Sequence, residues 1–144
     1  MTSSSYVNVT SEDWLFYWFF ESKEAAGEKA PLMLWSNGGP GCSAMEGATT
    51  ENGPMVLDMI KQSYAISVGE LSDNPYSWVN QANILYVDQP RYVGFSFGYG
   101  KYVDNSVDAG KDIVTFLLGW MELFPDFIGR EVILSSESYG GHCE

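Results

Sequence analysis

Basic side chains are scarce in this chain. Seven Lys and Arg stand against 19 Asp and Glu in 144 residues, a formal net charge of −12. That balance argues against nucleic acid as the main partner, because binding phosphates needs a basic face. It argues equally against an anionic membrane surface. Long apolar runs are missing too: the run through Leu15–Phe20 is far short of the ~20 residues that span a bilayer. Met1–Val9 has neither the basic nor the apolar region of a secretory leader. The chain is therefore expected to be cytosolic, or to have had such a segment removed or never included. Two cysteines, Cys42 and Cys143, are too few for a disulfide-built miniprotein. One tripeptide, Asn8-Val9-Thr10, has the form of a glycosylation sequon; alone it adds little, because such tripeptides arise by chance. Internal repeats, low-complexity segments and interdomain linkers are absent.

What is present is core-forming material: 45 % of the residues are hydrophobic and 15 % aromatic, in a length that suits one domain. Leu15–Glu21 reads as a strand with aromatics on both faces, hence one covered on both sides. Residues 24–29 read as a charged turn. Pro31–Trp35 and Asn83–Val87 are further apolar strands, and Val132–Ser135 is a fourth. Met55–Ser72 alternates too weakly to assign. Gly94–Gly100 reads as a Gly- and aromatic-rich loop. Ser106–Phe124 is the best helix. Ser106 is placed to cap it, Asp108 suits the dipole of its first turn, and Pro125 follows its end. Its apolar face is expected to comprise Val107, Val114, Leu117, Leu118 and Met121. Strands, a long helix and a strand entering a tight turn make the pattern of an α/β fold with a parallel sheet.

Two loops carry chemistry. Ser136-Glu137-Ser138-Tyr139-Gly140-Gly141 follows an apolar strand. A nucleophile elbow places serine on a sharp strand-to-helix turn, with very small residues two before and two after it. Ser138 has Ser136 and Gly140 in those places; glycine is usual in both. A turn that merely ends a buried strand fits this segment about equally well on its own. The second loop, Asn37-Gly38-Gly39-Pro40-Gly41, directly follows another strand. Hydrolases of this architecture take one oxyanion donor from the residue after the nucleophile and another from a glycine-rich loop after an earlier strand. Here those donors are the backbone N–H groups of Tyr139 and Gly39. Glycine lets a substrate carbonyl approach the backbone closely. Both loops, in the right order, favour a catalytic reading over two plain turns.

At this point the sequence resembles the serine carboxypeptidase family. The resemblance rests on Leu15–Ser22, on Leu34-Trp35-Ser36-Asn37-Gly38-Gly39-Pro40-Gly41-Cys42-Ser43 and on Glu51-Asn52-Gly53-Pro54. It continues through Asn74-Pro75-Tyr76-Ser77-Trp78, Val87-Asp88-Gln89-Pro90, Gly94-Phe95-Ser96 and Glu137-Ser138-Tyr139-Gly140-Gly141-His142. The motifs run nearly end to end in order. Departures are Ser36 in place of leucine, Ser136 in place of glycine, Arg91-Tyr92-Val93 in place of a smaller run, and Cys143 in place of tyrosine.

The resemblance implies an α/β-hydrolase fold. Residues 1–144 would be the N-terminal part of a single such domain, ending just after the nucleophile elbow. It implies Ser138 as the acylated nucleophile, with Gly39 and Tyr139 forming the oxyanion hole. Asn37, Gly38, Glu51 and Glu137 would bind the free carboxylate of a peptide or protein C-terminus, with Glu51 hydrogen-bonded to Glu137. A carboxyl group donates to a carboxylate only when protonated, so acidic pH would favour such a site. No cofactor or metal is implied. The family pairs a cysteine at the place of Cys42 with one further downstream; a Cys42–Cys143 bond is the less favoured alternative.

A triad also needs a base and an orienting acid. His142, the sole histidine, lies four residues after Ser138, on the same turn, and is expected to pack structurally. In this architecture acid and histidine follow the serine. Both triad partners are absent from this chain, which is expected to be inactive by itself. The full-length protein is expected to be a secreted, lysosomal or vacuolar carboxypeptidase. An acyltransferase on the same fold and a catalytically silent binding or chaperone-like protein are the competing readings. Retention of Asn37, Glu51 and Glu137 favours the peptidase.

Overall fold

The structure, a computed structural model, describes residues 1–23, 30–63 and 66–143; the charged turn expected at 24–29 lies outside them. Strand β1 (Thr2–Asn8) turns back into β2 (Asp13–Phe20), and β3 (Leu32–Ser36) follows. Helix α1 (Ala44–Glu46) continues as a π-helical turn over Gly47–Glu51. Next come β4 (Met55–Ser63), β5 (Ile66–Asp73), β6 (Asn83–Val87), β7 (Phe97–Gly98), α2 (Ser106–Leu123) and β8 (Val132–Ser136). A 3₁₀ turn over Ser138–His142 closes the described chain.

The main sheet has the order β1-β2-β6-β3-β8, with β7 beside β2. It is mixed: β1, β2 and β6 pair antiparallel, whereas β6, β3 and β8 pair parallel. The parallel sheet expected from the sequence is therefore confined to three strands. Central β6 is buried at all five positions, which explains its unbroken apolar run. Strands β4 and β5 form a separate antiparallel hairpin, in the stretch whose alternation is too weak to read.

Each sheet face has its own apolar cluster. Leu15, Tyr17, Phe19, Leu32, Leu34, Leu85 and Val87 pack against Ile113, Phe116 and Trp120 of α2 and Phe127 beyond it. On the opposite face Phe20, Trp35, Ile84 and Tyr86 meet Ala44, Ala48, Val79 and Ala82. On β2, however, Trp14, Phe16 and Trp18 are only half-buried, so cover on the second face is partial.

Two expectations about α2 need correction. Its cap is Asn105, whose Oδ1 accepts the Asp108 N–H at 2.9 Å, not Ser106. Its buried side chains are Ala109, Asp112, Ile113, Phe116 and Trp120. Leu117 and Met121 pack only partly, and Val107, Val114 and Leu118 are 69 %, 58 % and 62 % exposed. The helix carries two apolar stripes, and Asp112 makes the core-facing one look polar in the sequence. That carboxylate is buried because Arg91 reaches it through Nε at 2.6 Å and NH2 at 2.8 Å. Arg91 also donates to Asp13 at 2.9 Å, so one guanidinium ties the β1–β2 turn, the loop after β6 and α2 together. Burial opposes the charge on Asp13. Hydrogen bonds from Thr10, Tyr92 and the Gly100 N–H, together with the Arg91 charge, outweigh it and hold this carboxyl below its usual range.

Candidate active site

The carboxyl ends of β3, β6 and β8 lie side by side. The chain leaves β3 for β6 on one flank and crosses by way of α2 to β8 on the other. Open α/β sheets bind ligands at such a reversal of strand order. Both candidate loops emerge there.

Ser138 stands between the end of β8 and the 3₁₀ turn it opens. Its φ is +53°, and Tyr92 is the other described non-glycine residue with positive φ. A serine held this way costs on the order of 1–3 kcal/mol and is the backbone mark of an elbow. Gly140 is small of necessity: a Cβ there would come within 2.7 Å of Ser136 Cβ and 3.1 Å of Ser36 Oγ. Ser36 and Ser136 are themselves cross-strand partners. Both serine departures therefore sit together beneath the elbow, where Gly140 leaves room for them.

The glycine loop lies directly against the elbow. A Cβ on Gly38 would be 2.6 Å from Tyr139 N, 2.8 Å from Glu137 O and 2.9 Å from Ser138 Cβ. Residues about 100 apart in sequence thus touch. The Glu137 N–H donates to Ser36 O at 3.2 Å and the Cys42 N–H to Gly38 O at 3.0 Å, which fixes both loops. Gly39 has φ +105°, a conformation open to glycine. Among the described residues, neither the Gly39 nor the Tyr139 N–H donates to a backbone carbonyl. Glu137, Ser138 and Tyr139 are exposed. Beside them a cleft of about 170 Å³ is lined by Pro40, Pro90, Asn105, Ser106, Tyr139 and Cys143.

Asn37 is buried and its amide orientation is determined. Oδ1 accepts from Trp35 Nε1 at 2.9 Å and from the Gly47 N–H at 3.2 Å, so Nδ2 donates to Glu51 Oε1 at 3.0 Å. Gly47 must lack a side chain here, since a Cβ would meet Trp35 Nε1. The hydrogen bond seen for Glu51 is thus to Asn37 rather than to Glu137. Tyr86 donates to Asn52 Oδ1 at 2.8 Å; burial, then the neighbouring Glu51 charge, pushes the Tyr86 phenol well up. His142 is exposed with its ring centroid 4.7 Å from that of Tyr139, and no hydrogen bond joins it to Ser138 among the described residues. Cys42 and Cys143 are both free thiols.

Three contributors escape a motif-by-motif reading. Trp35 sets the Asn37 amide. Asp88, wholly buried, accepts from Ser43 Oγ at 2.6 Å, the Ala44 N–H at 2.8 Å and the Phe95 N–H at 2.9 Å. It fastens the far end of the glycine loop to β6. Arg91 anchors the segment after Pro90. The available signal was a carboxylate or arginine next to the end of a fully apolar strand.

In Gly38→Ala the new Cβ would meet backbone atoms of Tyr139 and Glu137, so the glycine loop should move off the elbow and thermal unfolding should come at a lower temperature than in the parent. Circular dichroism should stay near the parent's, because the strands bracketing the loop are unaltered.

A strained serine at the end of a parallel strand, faced by a glycine loop from the neighbouring strand, places the chain among the α/β hydrolases. An acylaminoacyl peptidase structure shares that fold, with a TM-score of 0.56, 16 % identity and coverage of 97 % of this chain and 19 % of that one. Residues 1–143 match the sequence profile described as serine carboxypeptidase, and the chain belongs to that family. It is 40 % identical over 142 residues to serine carboxypeptidase-like 20 of Arabidopsis thaliana, covering 96 % of this chain and 28 % of that protein. It is 41 % identical over 140 residues to carboxypeptidase Y homolog A of Leptosphaeria maculans, covering 96 % and 24 %. The crystal structure of Kex1(Δ)p, a prohormone-processing carboxypeptidase from Saccharomyces cerevisiae, superposes with TM-score 0.82 at 30 % identity, covering 99 % of this chain and 32 % of that one. The chain thus spans about a quarter to a third of the length of these family relatives. No described helix is long and apolar enough to cross a membrane.

Proposed function

We propose that the full-length protein is a serine-type carboxypeptidase, a single α/β-hydrolase domain to which residues 1–144 contribute the N-terminal part. It releases C-terminal residues from peptides through an acyl-enzyme on Ser138. The observation that carries this reading is the contact of Gly38 with Glu137, Ser138 and Tyr139. That contact supports a reading in which the N–H groups of Gly39 and Tyr139 receive a carbonyl oxygen as it gains charge beside the Ser138 hydroxyl. Ser138 Oγ attacks the carbonyl carbon of the last peptide bond. The hydroxyl proton passes to a histidine base and then to the departing amine, and water releases the acyl group. His142 is poorly placed for that base: it lies on the same turn as Ser138, with its ring tilted against that of Tyr139. The base and its acid are assigned to the part of the protein beyond these residues, and the 144-residue chain is expected to show no turnover.

Asn37 and Glu51 support an exopeptidase over an acyltransferase. Their hydrogen bond forms a polar pair beside the elbow, suited with Gly38 and Glu137 to a free carboxylate. A catalytically silent binding protein would have no use for the strained serine. Acidic secretory compartments, such as a lysosome or vacuole, suit a site in which carboxyl groups must donate to a carboxylate.

The test is a pH–rate profile. The parent should work best below neutrality. Glu137→Gln should flatten the acid preference, because an amide donates at any pH. An unchanged acid optimum in that variant would remove Glu137 from carboxylate binding.

A further inference from the structure

We propose that Asn8 carries an N-linked glycan whose first sugar ring lies on an aromatic strip beside it. This rests on the secretory reading above. The sequon Asn8-Val9-Thr10 plays no part in the candidate active site. Asn8 is the last residue of β1, an edge strand, and its side chain is exposed. No hydrogen bond engages its amide among the described residues. Buried Val9 follows, and the hairpin turn begins there, with the Val9 N–H bonded to Asp13 O at 3.0 Å. Thr10 Oγ1 donates to Asp13 Oδ2 at 2.7 Å once folded, so the transferase must read the sequon on the extended chain before the hairpin closes.

The strip beside Asn8 gives the glycan a seat. Asn8 pairs with Trp14 in the β1–β2 register, and directly opposed residues project from the same face. Val7 and Leu15 take the core face, so Asn8 and Trp14 take the outer one. There Trp14 stacks on Phe97 at 5.0 Å with a 12° interplanar angle. Tyr6, two residues before Asn8, meets Phe97 edge-on at 5.1 Å and Phe16 at 5.4 Å. Tyr6 and Phe97 remain 39 % and 41 % exposed. These rings leave aromatic surface accessible next to Asn8. The C–H face of a pyranose suits a flat aromatic face, and an Asn8-linked sugar begins one side chain away.

The chemistry balances without redox. Asn8 Nδ2 forms a bond to C1 of the sugar, the C1–O bond to a lipid pyrophosphate breaks, Nδ2 loses a proton, and the lipid pyrophosphate leaves. The co-reactant is a lipid-pyrophosphate-linked oligosaccharide.

The experiment produces the full-length protein behind a heterologous cleavable leader in a eukaryotic secretory host and maps the Asn8 peptide by mass. The Asn8 peptide of the secreted parent should carry one glycan, lost on treatment with peptide-N-glycosidase and absent from Asn8→Gln. Secreted chain with Asn8 unmodified overturns the proposal. Modification behind the leader, but none in protein from its native source, would overturn the proposal by way of the secretory reading, whereas an unmodified Asn8 in both would overturn it at the site itself. The seat has its own readout: the glycosylated full-length protein should melt about 1 °C above Asn8→Gln, and Phe97→Ser should abolish that difference. An equal difference in Phe97→Ser would overturn the stacking.

Discussion

Ser138→Ala should reduce kcat of the full-length protein on a blocked dipeptide by about 10⁶-fold, the loss that follows removal of a hydrolase nucleophile. KM should change far less. The Asn37–Glu51 bond lies outside the elbow and is held by Trp35 and Gly47, so the pair proposed to bind a substrate carboxylate should be undisturbed. Folding should be unharmed or slightly improved, because Ser138 gives up only a hydroxyl from an exposed side chain. Steady-state kinetics with single-turnover measurements check both halves. A variant within tenfold of the parent would show that the strained serine serves the turn and not the reaction.

Arg91→Met should destabilise the fold by ~3–5 kcal/mol, the range seen when one partner of a buried ion pair is removed. Asp13 and Asp112 are only 1 % and 5 % exposed, and both would lose their counter-charge. Urea unfolding at pH 7 checks the magnitude. The pH dependence has a definite sign. The Asp13 carboxyl is held below its usual value in the folded chain, so its contribution is complete above that usual value. It is lost as pH falls through the lowered one. In Arg91→Met the guanidinium no longer favours the charged form, so the acid unfolding limb should shift to higher pH. Replacing Asp13 and Asp112 along with Arg91 by apolar residues should cost less than the single change. An Arg91→Met protein as stable as the parent would reduce the network to surface decoration.

Legibility in the sequence followed the physics of each element. Strand β6 was readable to the residue because a strand buried on both faces has to be apolar throughout. The elbow and the glycine loop were readable because close backbone approach admits only small residues, and the structure shows that approach at Gly38 and Gly140. The orientation of α2 was not readable. Asp112 belongs to the buried stripe only because Arg91, 21 positions away, pairs with it, and periodicity carries no record of a partner so distant. Strand β1 was not legible because its serine-rich, exposed sequence becomes a strand only through pairing with β2. The role of Trp35 was hidden for a similar reason: its ring sits in an apolar cluster while its N–H reaches Asn37.

The most direct test of the central claim is covalent trapping of the full-length protein with a fluorophosphonate, followed by peptide mapping. A single adduct should fall on Ser138, in step with loss of carboxypeptidase activity and slowed by excess blocked dipeptide. An active preparation in which the reagent abolishes turnover while Ser138 stays unmodified would contradict the assignment of the nucleophile.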